Sequence, residues 1–211
     1  MKGRASRTWP LLLSILALIS FVILAEAVRR GATIRWDTAV TALVHESAGP
    51  KLTAFAMTVS FIGRLVVLIP ATVVIVVGLL LARRRSAALA LGLAMGGGLL
   101  LNGLIKIAVH RVRPHPFFGV EPESFSFPSG HVLLASCFCG AILLILNGRR
   151  KRSPLGFVFG AALVLAIGWS RIYLGVHYAS DAAAGFLVAV SWLAALFGFG
   201  LFGWDNGGAS R

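Results

Sequence analysis

The sequence predicts an all-α fold, a polytopic membrane helical bundle with six transmembrane helices, with residues 1–211 forming a single domain. Three observations carry that expectation. Of 211 residues, 58% are hydrophobic and 13% charged, about half the charged share of a soluble domain, and mean hydropathy is +0.89, so the solvent is lipid. Apolar runs recur near the roughly 20 residues that a helix needs to cross a bilayer. Tight clusters of Lys and Arg alternate with those runs, the pattern of cytoplasmic loops. The same clustering argues against a nucleic-acid role for the net charge of +13, because the cations are neither spread over one face nor interleaved with aromatics.

The first span is expected at about residues 9–27, after a basic start at Lys2, Arg4 and Arg7. A signal peptide is the alternative, since Ala25-Glu26-Ala27 resembles a cleavage site, but the apolar stretch is longer than a usual signal core. Trp36, Val40, Leu43 and Val44 recur at helical spacing in a more polar stretch, which predicts an interfacial helix on the outer surface. His45 and Glu46 on it read as a wet face, because no second ligand pair stands near for a metal. The second run, about residues 52–82, is interrupted by Arg64 and closed by Arg83, Arg84 and Arg85. Residues 65–82 suffice to cross, which sets Arg64 near the outer headgroups, either as a snorkelling cation or as a contact for an anionic lipid head.

The third span, about residues 86–106, holds Gly92, Gly96, Gly97 and Gly98. With no phosphate-loop pattern present, these glycines, like Gly156 and Gly160, are expected to serve helix packing. A Pro-rich loop follows at 110–127, then spans at about 130–146, 155–170 and 179–202, with Arg149, Arg150, Lys151 and Arg152 closing the fourth. Cys137 and Cys139 lie two apart in one helix, point to different faces and are too few for a zinc cage, so both should pack. The basic clusters place both termini in the cytoplasm and residues 106–131 and 171–181 on the outer face.

Those outer segments carry the chemistry. Lys106 and Arg113 bring a point charge and a planar fork suited to phosphate oxygens, although taken alone they read better as juxtamembrane anchors. Ser129 and Gly130 open an apolar helix, where serine can cap and free N–H groups can hold an anion, with His131 in the first turn. His177 and Asp181 are four apart and share a helix face, so the carboxylate can fix one imidazole tautomer and leave the other nitrogen as a nucleophile; taken alone this is a common surface pair. Arg171 lies nearby, at the outer end of the fifth span. Transfer of a phosphoryl group is catalysed chiefly by positioning and charge stabilisation, which this set supplies.

In order, Lys106-x6-Arg113-Pro114, Pro128-Ser129-Gly130-His131 and Ser170-Arg171-x5-His177-x3-Asp181 resemble the signature of the type 2 phosphatidic acid phosphatase superfamily, relatives of vanadium haloperoxidases and bacterial acid phosphatases. The resemblance covers residues 106–181, and the N-terminal third carries no motif. It implies a metal-free mechanism without cofactor. In it His177 is the nucleophile that forms a phosphohistidine, Asp181 supports it, and His131 is the general acid and then base. Lys106, Arg113, Ser129, Gly130 and Arg171 bind phosphate, and Arg111 is a plausible extra contact. The expected substrate is a membrane lipid phosphate or pyrophosphate (undecaprenyl pyrophosphate, phosphatidylglycerophosphate or phosphatidic acid), in a bacterial inner membrane and with no obligate protein partner. A lipid phosphotransferase and a non-catalytic transporter or scaffold are the alternatives; the six expected spans exclude a soluble haloperoxidase.

Overall fold

The computed structural model describes residues 2–118, 124–147 and 154–202. Among them are eight helices: α1 (Lys2–Arg29), α2 (Ile34–His45), α3 (Pro50–Ile62), α4 (Leu65–Leu81), α5 (Arg85–Val109), α6 (Gly130–Asn147), α7 (Pro154–Tyr173) and α8 (Ala179–Gly198). Four of them (α1 from Thr8, α5, α7 and α8) are long and apolar enough to cross a membrane, and the α3–α4 pair makes a fifth if counted as one bent span. Helix α6 is apolar but shorter, over Gly130–Leu146. The protein is an integral membrane protein, and its outer surface agrees: Ile23, Val74 and Leu165 are 66%, 70% and 73% exposed, a density of bare hydrocarbon that only lipid covers without cost.

Helix boundaries follow local chemistry. Gly49 is extended and Pro50 starts α3 at a position where a missing N–H costs nothing. Helix α5 runs for 25 residues, about 37 Å, and ends where His110 turns left-handed at φ 53°. The oily run from 52 to 82 is not one helix: α3 and α4 break at Gly63 and Arg64 with a bend of 42°. The arginine that interrupts the pattern therefore marks a corner that places Arg64 at the mouth of the bundle. The exposed Arg83 and Arg85 lie in the α4–α5 turn, at the far end from that mouth. The Arg149–Arg152 cluster and the Lys2, Arg4 and Arg7 side chains lie outside the described residues.

The core is the seam of α5, α6 and α8, where Leu91, Ala94, Leu133, Cys137 and Ala189 are buried together. Cys137 and Cys139 are free thiols. Small residues permit the close approach. A Cβ on Gly98 would meet the Cys137 sulfur at 3.0 Å, and one on Gly97 would strike the Trp192 indole at 2.3 Å. Gly92 and Gly96 behave otherwise than expected, since nothing lies within 4 Å of a Cβ built on either. Instead of sealing a helix contact they line an apolar cavity of about 230 Å³ between α4 and α5. Helix α1 runs along α8, tied by Ser14 Oγ donating to the Ser191 carbonyl at 2.8 Å and Ser191 Oγ donating back to Ser14 at 3.0 Å.

Helix α2 forms where its spacing predicts, and its inner side is polar. Its stripe of Trp36 and Leu43 faces outward, 53% and 67% exposed, whereas Asp37 is fully buried and Thr41 nearly so. Nor is His45 on a wet face: its ring stacks on Phe117 with centroids 3.8 Å apart and lies beside Phe118 and Tyr173. The helix packs on α7 and on α8, so its polar side is the inner one.

Candidate active site

Three segments separated in sequence converge at one end of the bundle. Lys106 projects from the last turn of α5, His131 from the first turn of α6 and Arg171 from the last turn of α7. These, with Arg113, Gly130 and His177, line a cavity of about 450 Å³, completed by Gly63, Arg64 and Asn102. Ser129 and Asp181 stand behind the wall, both fully buried.

The turn between α7 and α8 carries His177, and its shape depends on Gly175. That residue has φ 70°, and a Cβ on it would lie 2.9 Å from the His115 carbonyl oxygen and the Phe117 nitrogen. Only glycine meets both conditions. The second contact of this kind is Gly185 on α8, where a Cβ would fall 2.6 Å from the Ser129 carbonyl oxygen. That approach brings the 128–131 segment onto α8, where the Ser129 N–H donates to the Asp181 carbonyl at 2.9 Å.

The hydrogen bonds around His177 fix its tautomer. Arg113 Nη1 lies 3.1 Å from His177 Nε2, and a guanidinium can only donate, so Nε2 is the nitrogen that carries the lone pair. Nδ1 then bears the proton and points to Asp181 Oδ2 at 3.4 Å. Burial pulls the His177 pKa down to about 4, against the Asp181 bond that raises it, with Arg171 and Arg113 adding to the fall. The ring is therefore neutral at pH 7, with the Nε2 lone pair accepting from Arg113 on the cavity wall.

Asp181 is itself held from three sides. Its Oδ2 also accepts from the Tyr178 N–H at 2.9 Å, and its Oδ1 accepts from Arg111 Nη1 at 2.6 Å. Arg111 is thus not on the cavity wall. It bridges Asp181 to Asp37 of α2, donating from Nη2 to Asp37 Oδ2 at 2.7 Å, with the Tyr178 ring 4.1 Å from its guanidinium carbon. Asp37 is completed by the Ser180 N–H at 2.9 Å and the Ser180 hydroxyl at 2.7 Å. One arginine balances one of the two carboxylates, and the backbone N–H groups of Tyr178 and Ser180 with the Ser180 hydroxyl meet the remaining negative charge, which holds Asp181 ionised and in place.

The remaining cations are differently occupied. Arg171 Nη1 donates to Ser60 Oγ of α3 at 2.6 Å, while its Nε is buried without a partner, as are Ser129 Oγ, His131 Nε2 and Asn102 Oδ1. Ser129 is consequently not acting as a helix cap. Lys106 Nζ donates to the Phe125 carbonyl, and Arg113 Nε and Nη2 donate to the Ser124 carbonyl and hydroxyl at 2.5 and 2.9 Å. A bound phosphate would exchange those oxygens for its own. Asn102, one turn before Lys106 on α5, and Asp37 were not singled out from the sequence. For Asn102 the i–4 spacing from Lys106 was the available signal.

Fold and cavity together describe a membrane-embedded helical bundle with a cation-lined pocket at one end. Residues 87–202 match the PAP2 superfamily, and the chain belongs to it. It shares 31% identity over 170 residues with phosphatidylglycerophosphatase B of Bacillus subtilis, covering 79% of this chain and 84% of that one. With an undecaprenyl-diphosphatase of Sulfolobus acidocaldarius it shares 28% over 194 residues, covering 89% and 88%. The crystal structure of a transmembrane PAP2-type phosphatidylglycerolphosphate phosphatase from Bacillus subtilis aligns with a TM-score of 0.82 at 28% identity, over 94% of this chain and 99% of that one. The chain is a phosphatase of this family.

Proposed function

We propose that the protein is a metal-independent lipid phosphate or pyrophosphate phosphatase that works through a phosphohistidine on His177. The observation that carries this reading is the His177 ring: neutral, Nε2 toward the cavity, Nδ1 toward a carboxylate locked by Arg111. In the first step Nε2 forms a bond to phosphorus as the bond to the lipid oxygen breaks, and His131 Nε2 gives that oxygen its proton. In the second, water attacks the phosphohistidine, His131 takes the proton, and inorganic phosphate leaves. Lys106, Arg113, Arg171, Gly130 and Ser129 hold the equatorial oxygens, where charge gathers in the transition state. The unpartnered Ser129 Oγ and Arg171 Nε supply donors for them. Among the described residues no group of three His, Cys, Asp or Glu side chains is placed to hold a metal ion.

Six crossings follow if the bent α3–α4 pair is one span and α6, though short, is another. The site then faces the periplasmic side of a bacterial inner membrane, with both termini in the cytoplasm. The apolar cavity between α4 and α5 shares Leu65 and Leu134 with the polar one, which gives the hydrocarbon tail a place beside the phosphate. Undecaprenyl pyrophosphate, phosphatidylglycerophosphate and phosphatidic acid all suit this arrangement. Phosphate release from such lipids in detergent micelles tests the reading. Turnover should persist in EDTA and vanish in His177→Ala. Loss on chelation that Mg²⁺ or Zn²⁺ restores, or a tenth of the activity left in the variant, would overturn it.

A further inference from the structure

A lipid phosphate presents three parts in order: the reacting phosphoryl group, the bridging oxygen and what it carries, and the hydrocarbon. His177 marks the place of the first part, and the apolar cavity lined by Leu65 and Leu134 marks the last. Arg64 stands between them. It lines the polar cavity, precedes Leu65 in the chain, and sits at the 42° corner between α3 and α4. The corner is packed on the proposed acid, since a Cβ on Gly63 would lie 3.2 Å from His131 Cδ2, the ring carbon bonded to Nε2. Arg64 is therefore on the side to which the leaving group departs.

Its surroundings leave its charge unmatched. Arg64 is exposed; among the described residues no carboxylate pairs with it, and its guanidinium lies 5.7 Å from the Phe61 ring. Asn102 lines the same cavity wall, and the N–H groups of its side-chain amide are donors that an anion can take. A permanent cation beside a neutral glycerol ester would gain nothing. Beside a second phosphate it forms a charge-assisted, two-pronged contact.

We propose that Arg64, with Asn102, forms a subsite for a second, non-reacting phosphate on the tail side of the scissile bond, and that Arg64 sets the preference for lipids carrying one. The proposal rests on the phosphatase reading above and deepens it. Two lipid chemistries offer that phosphate. In a polyprenyl diphosphate the anhydride P–O bond breaks as the His177 P–N bond forms, and the electron pair departs on a polyprenyl phosphate anion whose new charge Arg64 meets. In a glycerol-bridged bisphosphate the leaving oxygen takes the His131 proton, and Arg64 holds the phosphodiester beyond it.

The test compares kcat/KM on two pairs of lipids in detergent: farnesyl diphosphate against farnesyl monophosphate, and phosphatidylglycerophosphate against phosphatidate. In Arg64→Ala the ratio within at least one pair should fall on the order of 10²-fold, the usual effect of removing one preorganised donor. The pair that responds identifies the source of the second phosphate. Arg64→Lys, which keeps the charge and loses the fork, should fall by about tenfold, and its ratios decide the matter should the alanine variant not fold. Ratios unchanged within about threefold in both pairs would overturn the subsite, even if all four rates fell together. Silence of the wild-type protein on all four lipids would overturn the phosphatase reading, and the subsite with it.

Discussion

The segment from 106 to 181 and the helices that precede it build the same cavity by different means. The later segment supplies most of the groups that line it, from Lys106 to His177. The earlier one supplies single residues that set those groups in place: Asp37 on α2 anchors Arg111 and Ser180, and Ser60 on α3 holds Arg171. The corner at Gly63 packs on His131. The difference teaches that a signature motif names the chemistry without enclosing the site. The arginine that holds the carboxylate behind His177 is itself anchored by Asp37, on a helix with no motif of its own.

That division can be broken or sharpened by substitution. The largest effect expected here is from Asp181→Asn, which preserves shape but removes the charge that sets the His177 tautomer. A loss of about 10²- to 10⁴-fold in kcat is expected, as for triad aspartates. Asp37→Asn should cost less, about 10- to 100-fold, as outer-shell partners generally do. The loss should fall on kcat with KM nearly unchanged, because Asp37 acts through Arg111 and Asp181 and does not reach the substrate. Steady-state kinetics on one lipid checks both. If Asp37→Asn matched Asp181→Asn, or raised KM alone, α2 would not be the scaffold described. Smallest is the effect of pH. With the His177 pKa near 4, the neutral nucleophile survives as pH falls until about that value. The acid limb of kcat/KM, corrected for the substrate phosphate's own ionisation near pH 6, should break near pH 4. A break at the ordinary histidine value of about 6.5 would mean that the ring is not as buried in solution as its surroundings imply.

Much of this was legible in the sequence, for reasons that mark where legibility stops. Apolar length announces a helix in lipid, so α5, α7, α8 and the apolar part of α1 from Thr8 fall within a few residues of expectation. Spacing announces shared faces, so His177 and Asp181 meet as an i,i+4 pair. The interrupting Arg64 signalled a boundary, but whether it marks a headgroup anchor or a corner depends on which way the chain turns after Gly63, and that is decided by packing on Ile167 and His131. Helix α2 showed its apolar stripe in the sequence, but not the buried Asp37 behind it nor the stacking of His45 on Phe117. In a membrane protein the oily stripe faces lipid and a buried face can be polar, the reverse of the soluble rule. The Asp37–Arg111 pair spans 74 residues, and no local pattern links its members. Gly92 and Gly96 carried the composition of a packing face, and only the position of α4 shows that they open a cavity.

The central claim is that His177 attacks through Nε2, and the phosphoenzyme itself tests it most directly. The purified protein is mixed with a lipid phosphate, quenched in base to preserve phosphohistidine and digested. The modified residue is then assigned by mass spectrometry, and the modified nitrogen by phosphorus NMR. The account predicts phosphate on residue 177 at Nε2 in the wild-type protein and none in His177→Ala. Phosphate on Nδ1, on another residue, or on none while the wild-type protein turns over would contradict it.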